Sequence, residues 1–135
     1  MKSQLVLSVV IACLFTGCSK YGANVNGTVR LDGDALPRGK VVFSPVEKGP
    51  MASGKINADG TYALKVGSEL SLPAGDYVAT VVAHEQVDLS DREGGAAPPI
   101  PKRLTPSKYQ KTSTSDLSYT VERGGNEIDI ELKSK

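Results

Sequence analysis

Tryptophan is absent from the chain, and aromatic residues make up only 5% of it. Stacking platforms for bases or sugars are built from exposed rings, so this scarcity argues against both and the five tyrosines must be weighed one by one. Histidine is nearly absent too, His84 being the single imidazole. A Ser–His–Asp arrangement would have one candidate base, and no G-x-S-x-G stretch supplies its nucleophile. Net charge is also missing. Sixteen basic residues stand against fifteen acidic ones, and without a positive field the chain has no electrostatic claim on nucleic acid. No apolar run reaches the roughly 20 residues that cross a hydrocarbon core. From Asn24 onward no segment keeps a 3.6-residue apolar period for three turns.

What is present is an ordinary globular composition. The 135 residues, 39% of them hydrophobic, suit one domain and are too apolar and too weakly charged for a wholly disordered chain. The first residues stand apart. Lys2 is followed by an almost wholly apolar run from Leu5 to Phe15 (LVLSVVIACLF) and then by small residues, the layout of a secretory signal. A buried first helix or strand of the domain is the competing reading, and it fits poorly because polar sequence follows abruptly.

Cleavage by ordinary signal peptidase would use an A-x-A-like site. The residues here are instead Leu14-Phe15-Thr16-Gly17-Cys18. That string resembles the lipobox of bacterial lipoproteins, with Phe15 where Leu is usual. The resemblance implies diacylglycerol transfer to the Cys18 thiol, removal of residues 1–17 and acylation of the new amino terminus. Ser19, in place of Asp, resembles lipoproteins sent onward to an outer membrane. Two cysteines in an exported chain otherwise invite a disulfide, but Cys13 would leave with the signal. Cys18 would then be alone among the 118 residues that remain of 135. Several acyl chains, each buried CH₂ contributing about 0.8 kcal/mol, hold a protein at a membrane where one chain is marginal.

The rest reads as strands. Val25, Gly27, Val29 and Leu31 alternate with polar residues, and a turn cluster follows at Asp32–Pro37. Further strands are expected over Lys40–Pro45, Ala52–Asn57 and Thr61–Val66, the last two joined through Asn57-Ala58-Asp59-Gly60. Tyr77–His84 is apolar on both faces, as in a strand covered on both sides. Leu117, Tyr119 and Val121 alternate cleanly, Arg123–Asn126 should reverse the chain, and Ile128, Ile130 and Leu132 alternate in turn. Seven short strands with punctuating turns describe an all-β, antiparallel β-sandwich over residues 24–133, preceded by a signal helix (1–17) and a tether (18–23). The 85–116 stretch, with Pro98, Pro99, Pro101 and Pro106, has no period. A connection this long is functional, disordered or wrongly assigned. A mobile tip is expected first, then an ordered return in which Ile100, Leu104 and Tyr109 pack along the sandwich.

The stretches "VNGTVRLDGDALPRGKVVF", "NADGTYAL" and "LPAGDYVATV" together resemble carboxypeptidase regulatory-like, transthyretin-like domains. With the lipobox in front and "PSKYQKTSTSDLSYTVERGGNEIDIEL" behind, the chain is similar to small bacterial lipoproteins of that superfamily. The resemblance covers Asn24 to Leu132 and implies a seven-stranded immunoglobulin-like sandwich, exported and tethered to a membrane of the cell envelope. It does not imply a reaction. The hydrolase of that fold that acts on 5-hydroxyisourate uses paired histidines, an arginine and a terminal Tyr-Arg-Gly-Ser, and this chain has His84 alone.

Two clusters remain as candidate sites. His84, Glu85, Asp88, Asp91 and Glu93 offer one nitrogen and four carboxylates, yet at a spacing that matches neither a zinc motif nor a calcium loop, and loop carboxylates are usually just solvated. Lys102, Arg103, Lys108 and Lys111 surround Tyr109, a basic–aromatic cluster suited to an anionic glycan or lipid headgroup, or simply a solvated loop. The sequence therefore leads to a non-catalytic binding or structural module without cofactor or metal. Its partners would be the membrane, through Cys18, and an envelope protein or glycan, never nucleic acid. The alternative is a soluble periplasmic carrier or cation- or glycan-binding module using the 85–116 loop.

Overall fold

A computed structural model describes residues 20–90, 94–95 and 97–135. The expected signal helix and Cys18 lie outside the described residues, as do Asp91 and Glu93.

Strand segments follow as β1 (Ala23–Leu31), β2 (Asp34–Ala35), β3 (Gly39–Pro45), β4 (Ala52–Ile56), β5 (Thr61–Ala63), β6 (Gly75–Val82), β7 (Ser118–Val121), β8 (Gly124–Glu127) and β9 (Ile130–Leu132), with a 3₁₀ turn at Ser107–Gln110. They form two sheets. One is antiparallel throughout, in the order β4-β3-β6-β7. The other is built on β1, which pairs antiparallel with β2 and β5 and parallel with β8 and β9. Inward side chains of both sheets make one core: Val25, Val29, Tyr62, Leu64, Ile130 and Leu132 from the second, Val41, Phe43, Ile56, Tyr77, Val81 and Val121 from the first. Phe43 stacks on Tyr119, with ring centroids 5.7 Å apart.

The period-two readings hold at these positions, because a strand with one buried face alternates its side chains. The turns hold as well. Asp32 (φ 52°) and Gly33 (φ 89°) both have left-handed backbone between β1 and β2, the conformation a two-residue hairpin turn needs. At Asn57–Thr61 the Asp59 carboxylate accepts from both the Thr61 amide (3.1 Å) and its hydroxyl (2.6 Å).

Several expectations are corrected. The sandwich is not wholly antiparallel, and more strand segments form than the seven read from the sequence. Arg123–Asn126 does reverse the chain, but into the other sheet: β7 borders β6, whereas β8 and β9 border β1. Gly124, Gly125 and Asn126, expected as a turn, are strand residues paired with Ala23, Asn24 and Val25. Asn126 secures the crossover by donating from Nδ2 to the Glu122 carbonyl (2.8 Å) and the Asn24 carbonyl (3.0 Å). β6 is central in its sheet, yet only its inner face meets the other sheet; on its outer face Thr80 is buried and Val78 and Val82 are half-buried.

Candidate functional site

The return of the long connection is tied down by hydroxyls. As the chain leaves β6, the Glu85 amide donates to the Lys102 carbonyl and the Leu104 amide to the Ala83 carbonyl, each at 2.8 Å. His84 and Arg103 are therefore cross-strand neighbours just past the end of the sheet. Buried Thr105 accepts from the Ala83 amide (3.2 Å) and donates to the Val81 carbonyl (3.4 Å). Pro106 then starts the 3₁₀ turn, which places Tyr109 in the core at 2% exposure. Its hydroxyl accepts from the Lys133 amide at 3.0 Å, joining the connection to the chain beyond β9. Further on, Thr114 donates to the Lys108 carbonyl (2.7 Å) and Ser115 to the Ala79 carbonyl.

This path decides what the basic cluster can do. Arg103, Lys108 and Lys111 line an open groove of about 420 Å³ together with Ser107, Gln110 and Thr114. Lys102 does not line it, since neighbouring residues of an extended segment point to opposite sides. Tyr109 is not a surface ring: it is buried, and the Lys108 ammonium covers its face at 4.7 Å from the centroid. Contact with Tyr109 first, and after it the charge of Asp116, hold the Lys108 ammonium above the ordinary lysine pKa. Asp116 lies 3.9 Å from Lys108 Nζ, leaving Arg103 and Lys111 as the groove's cations without an ion-pair partner among the described residues. The groove can hold an anion by charge and by the hydroxyl and amide donors of Ser107 and Gln110.

Ile100 and the histidine cluster come out differently. Ile100 was expected to pack on the sandwich but is 94% exposed, while Leu104 packs against the core. His84 is exposed. Asp88 turns its carboxylate onto the Ser90 amide at 2.8 Å, and the Ser90 hydroxyl first, then this amide, keep it below the usual carboxylate range. Among the described residues no three His, Cys, Asp or Glu side chains are gathered as a metal ion would require.

The described chain enters the sandwich at its other end. Tyr21 donates its amide to the Ser71 hydroxyl (3.3 Å), and the Gly22 carbonyl accepts from the Gly124 amide (2.8 Å). Ala23, assigned to the tether from sequence, is buried and opens β1, bridged to Leu72. The Val46–Met51 loop reaches this same end, where the Val46 amide donates to the Asp76 carbonyl at 2.9 Å. Val46, Met51 and Leu70 are exposed there at 65%, 60% and 57%. Sequence reading passed over these three because they are scattered through turns, outside any periodic segment.

Compared with models of known protein families and with curated proteins, the chain matches none.

Proposed function

We propose that the protein is a lipid-anchored, non-catalytic module of the cell envelope, with an immunoglobulin-like, transthyretin-like sandwich as its working part. The observation that carries this reading is the lipobox-like Leu14–Cys18 string set directly before a folded all-β body. Cys18 stands three residues before Tyr21, the first of the described residues hydrogen-bonded to the folded body. At no more than ~3.5 Å per residue the lipidated cysteine would lie within about 10 Å of the sandwich. A module held so close works at its membrane and presents its distal surface to the envelope. The exposed lone imidazole and the absence of a nucleophile paired with it among the described residues support a binding role over a catalytic one.

Radioactive palmitate should label the wild-type chain in a lipoprotein-processing bacterium and fail to label Cys18→Ser, which should turn up in the soluble fraction. A soluble, unlabelled wild type overturns the reading.

The Arg103–Lys111 groove favours a second reading, in which the module binds an anionic envelope glycan whether or not it is lipidated. Retention on an immobilised anionic polysaccharide, lost in Arg103→Ala/Lys111→Ala, would support it. Equal elution of both forms would dismiss it.

A further inference from the structure

We infer that the tether end of the sandwich is itself a membrane-contact surface, with Val46, Met51 and Leu70 resting in the interfacial layer of the bilayer that holds Cys18. The inference rests on the lipid-anchored reading above and adds the orientation of the domain.

Five large hydrophobic residues are exposed among those described: Val46, Met51, Leu70, Leu89 and Ile100. Single exposed apolar side chains need no explanation on a soluble protein. Their placement does. Leu89 and Ile100 belong to the long connection, which leaves and rejoins the sandwich beside His84 and Arg103. The other three lie at the opposite end. Val46 follows β3 and is bonded to Asp76, Met51 precedes β4, and Leu70 stands two residues before the Ala23–Leu72 bridge. β6 runs from the one end, at Gly75, to the other, where His84 follows it. At about 3.3 Å per strand residue the two ends are roughly 30 Å apart.

The chain's own entry point selects the occupant. Tyr21 and Gly22 are fixed at the Leu70 end by Ser71 and Gly124. With three residues or fewer left to reach Cys18, the ~30 Å to the far end cannot be bridged, so a lipid on Cys18 holds this end against the bilayer. The charges here are mixed: Lys20, Lys48 and Arg123 stand among Glu47, Glu69 and Glu122. Attraction to anionic lipid is therefore not the driving term; apolar contact is, and it adds to the anchoring that the acyl chains provide. Tyr21, half-buried with the Lys20 ammonium 5.5 Å from its ring centroid, places an amphipathic ring at the same level. One consequence is that the Arg103–Lys111 groove faces away from the anchoring membrane and is presented to the envelope rather than to its headgroups.

The test uses the full lipidated chain reconstituted in phosphatidylethanolamine–phosphatidylglycerol vesicles doped with a headgroup-nitroxide lipid. Lipidation occupies the Cys18 thiol, so single fluorophores can be placed through Met51→Cys, Leu70→Cys and, at the far end, Ser134→Cys. Quenching several-fold stronger at positions 51 and 70 than at 134, and unchanged in high salt, is expected. Equal quenching at both ends, in protein that carries palmitate and floats with the vesicles, overturns the orientation and leaves the anchor standing. Protein that neither carries palmitate nor floats overturns both.

Discussion

The Tyr62 hydroxyl donates to the main-chain carbonyl of Ile128 across 2.7 Å, 66 residues along the chain. It fills a gap in the parallel ladder between β1 and the last strands. Asn26 lies opposite Glu127 and Val29 opposite Ile130, so β8 and β9 share one register and form a single strand interrupted at Ile128–Asp129. The Ile128 amide makes its ladder bond to the Asn26 carbonyl at 2.8 Å. The return bond, from the Thr28 amide to the Ile128 carbonyl in a regular parallel pair, is missing. Thr28 donates instead to Asp129 Oδ1 at 3.0 Å, and Tyr62 takes the freed carbonyl. Burial first, then the charges of Tyr119 and Asp129, push the Tyr62 phenol far above the ordinary tyrosine range, so it stays a donor wherever the protein is folded.

Tyr62→Phe keeps the buried ring and removes that donor. The Ile128 carbonyl is left without a partner inside the protein, and such a group costs about 1–3 kcal/mol. Urea unfolding should show a stability lowered by that amount, read as a lower midpoint at unchanged slope. A midpoint equal to wild type would mean that water reaches the carbonyl.

Gly27 makes room for the displaced carbonyl. Its α-carbon faces inward between Val25 and Val29, and a β-carbon there would run into the Ile128 carbonyl oxygen. Because the obstacle is backbone, it cannot swing aside. Gly27→Ala should therefore destabilise by at least the 1–3 kcal/mol typical of overpacking. Gly49→Ala is the control: its β-carbon would meet only Pro45, at 3.7 Å and ordinary contact distance, and its stability should stay within about 0.5 kcal/mol of wild type.

These two residues also mark how far sequence reading reached. Tyr62 and Leu64 were legible as inward residues because alternation is a local property of a strand. Asp32-Gly33 and Asp59-Gly60 were legible because left-handed backbone selects few residue types. β8 was not legible. Gly124, Gly125 and Asn126 are turn formers by propensity, and what makes them a strand is pairing with Ala23–Asn26 about a hundred residues earlier, which leaves no trace in the local pattern. Tyr109 was legible in one of its two readings. Its expected packing along the sandwich holds, whereas the surface-contact reading drawn from the surrounding lysines does not, because the ring is buried and its hydroxyl takes the distant Lys133 amide. Of the basic cluster, Arg103, Lys108 and Lys111 do share a groove, while the hydroxyls of Thr105, Thr114 and Ser115 that shape it carried no signal in a segment without period.

Acid should loosen the chain end and the β4–β5 turn first. Asp32 is held below the ordinary carboxylate range by hydrogen bonds from Ser134, side chain and then backbone, with Lys133 adding its charge. Asp59 is held there by the Thr61 hydroxyl and then its amide. A carboxyl lowered on folding contributes stability above its unfolded pKa of about 3.9 and loses it as pH falls through the lower folded value. Both side chains should therefore titrate by NMR with midpoints below the free-peptide value. The acid limb of the stability curve should flatten in Asp32→Asn, which also tolerates the left-handed backbone at that position. Midpoints at or above the free-peptide value would remove the assigned hydrogen bonds.

The groove and the tyrosine beneath it should separate by mutation, since one is surface charge and the other is core. Tyr109→Phe leaves the ring buried but takes the acceptor from the Lys133 amide. The expected cost is about 0.5–1.5 kcal/mol, the net worth of one hydrogen bond, with faster hydrogen exchange at Lys133. Arg103→Ala and Lys111→Ala remove exposed charges without an ion-pair partner among the described residues, and surface changes of that kind stay within about 0.5 kcal/mol. Measured stability should thus fall for the conservative tyrosine change and hold for both charge deletions. The opposite ranking would mean that Arg103 and Lys111 support the fold, and the groove would lose its standing as a surface kept free for an anion.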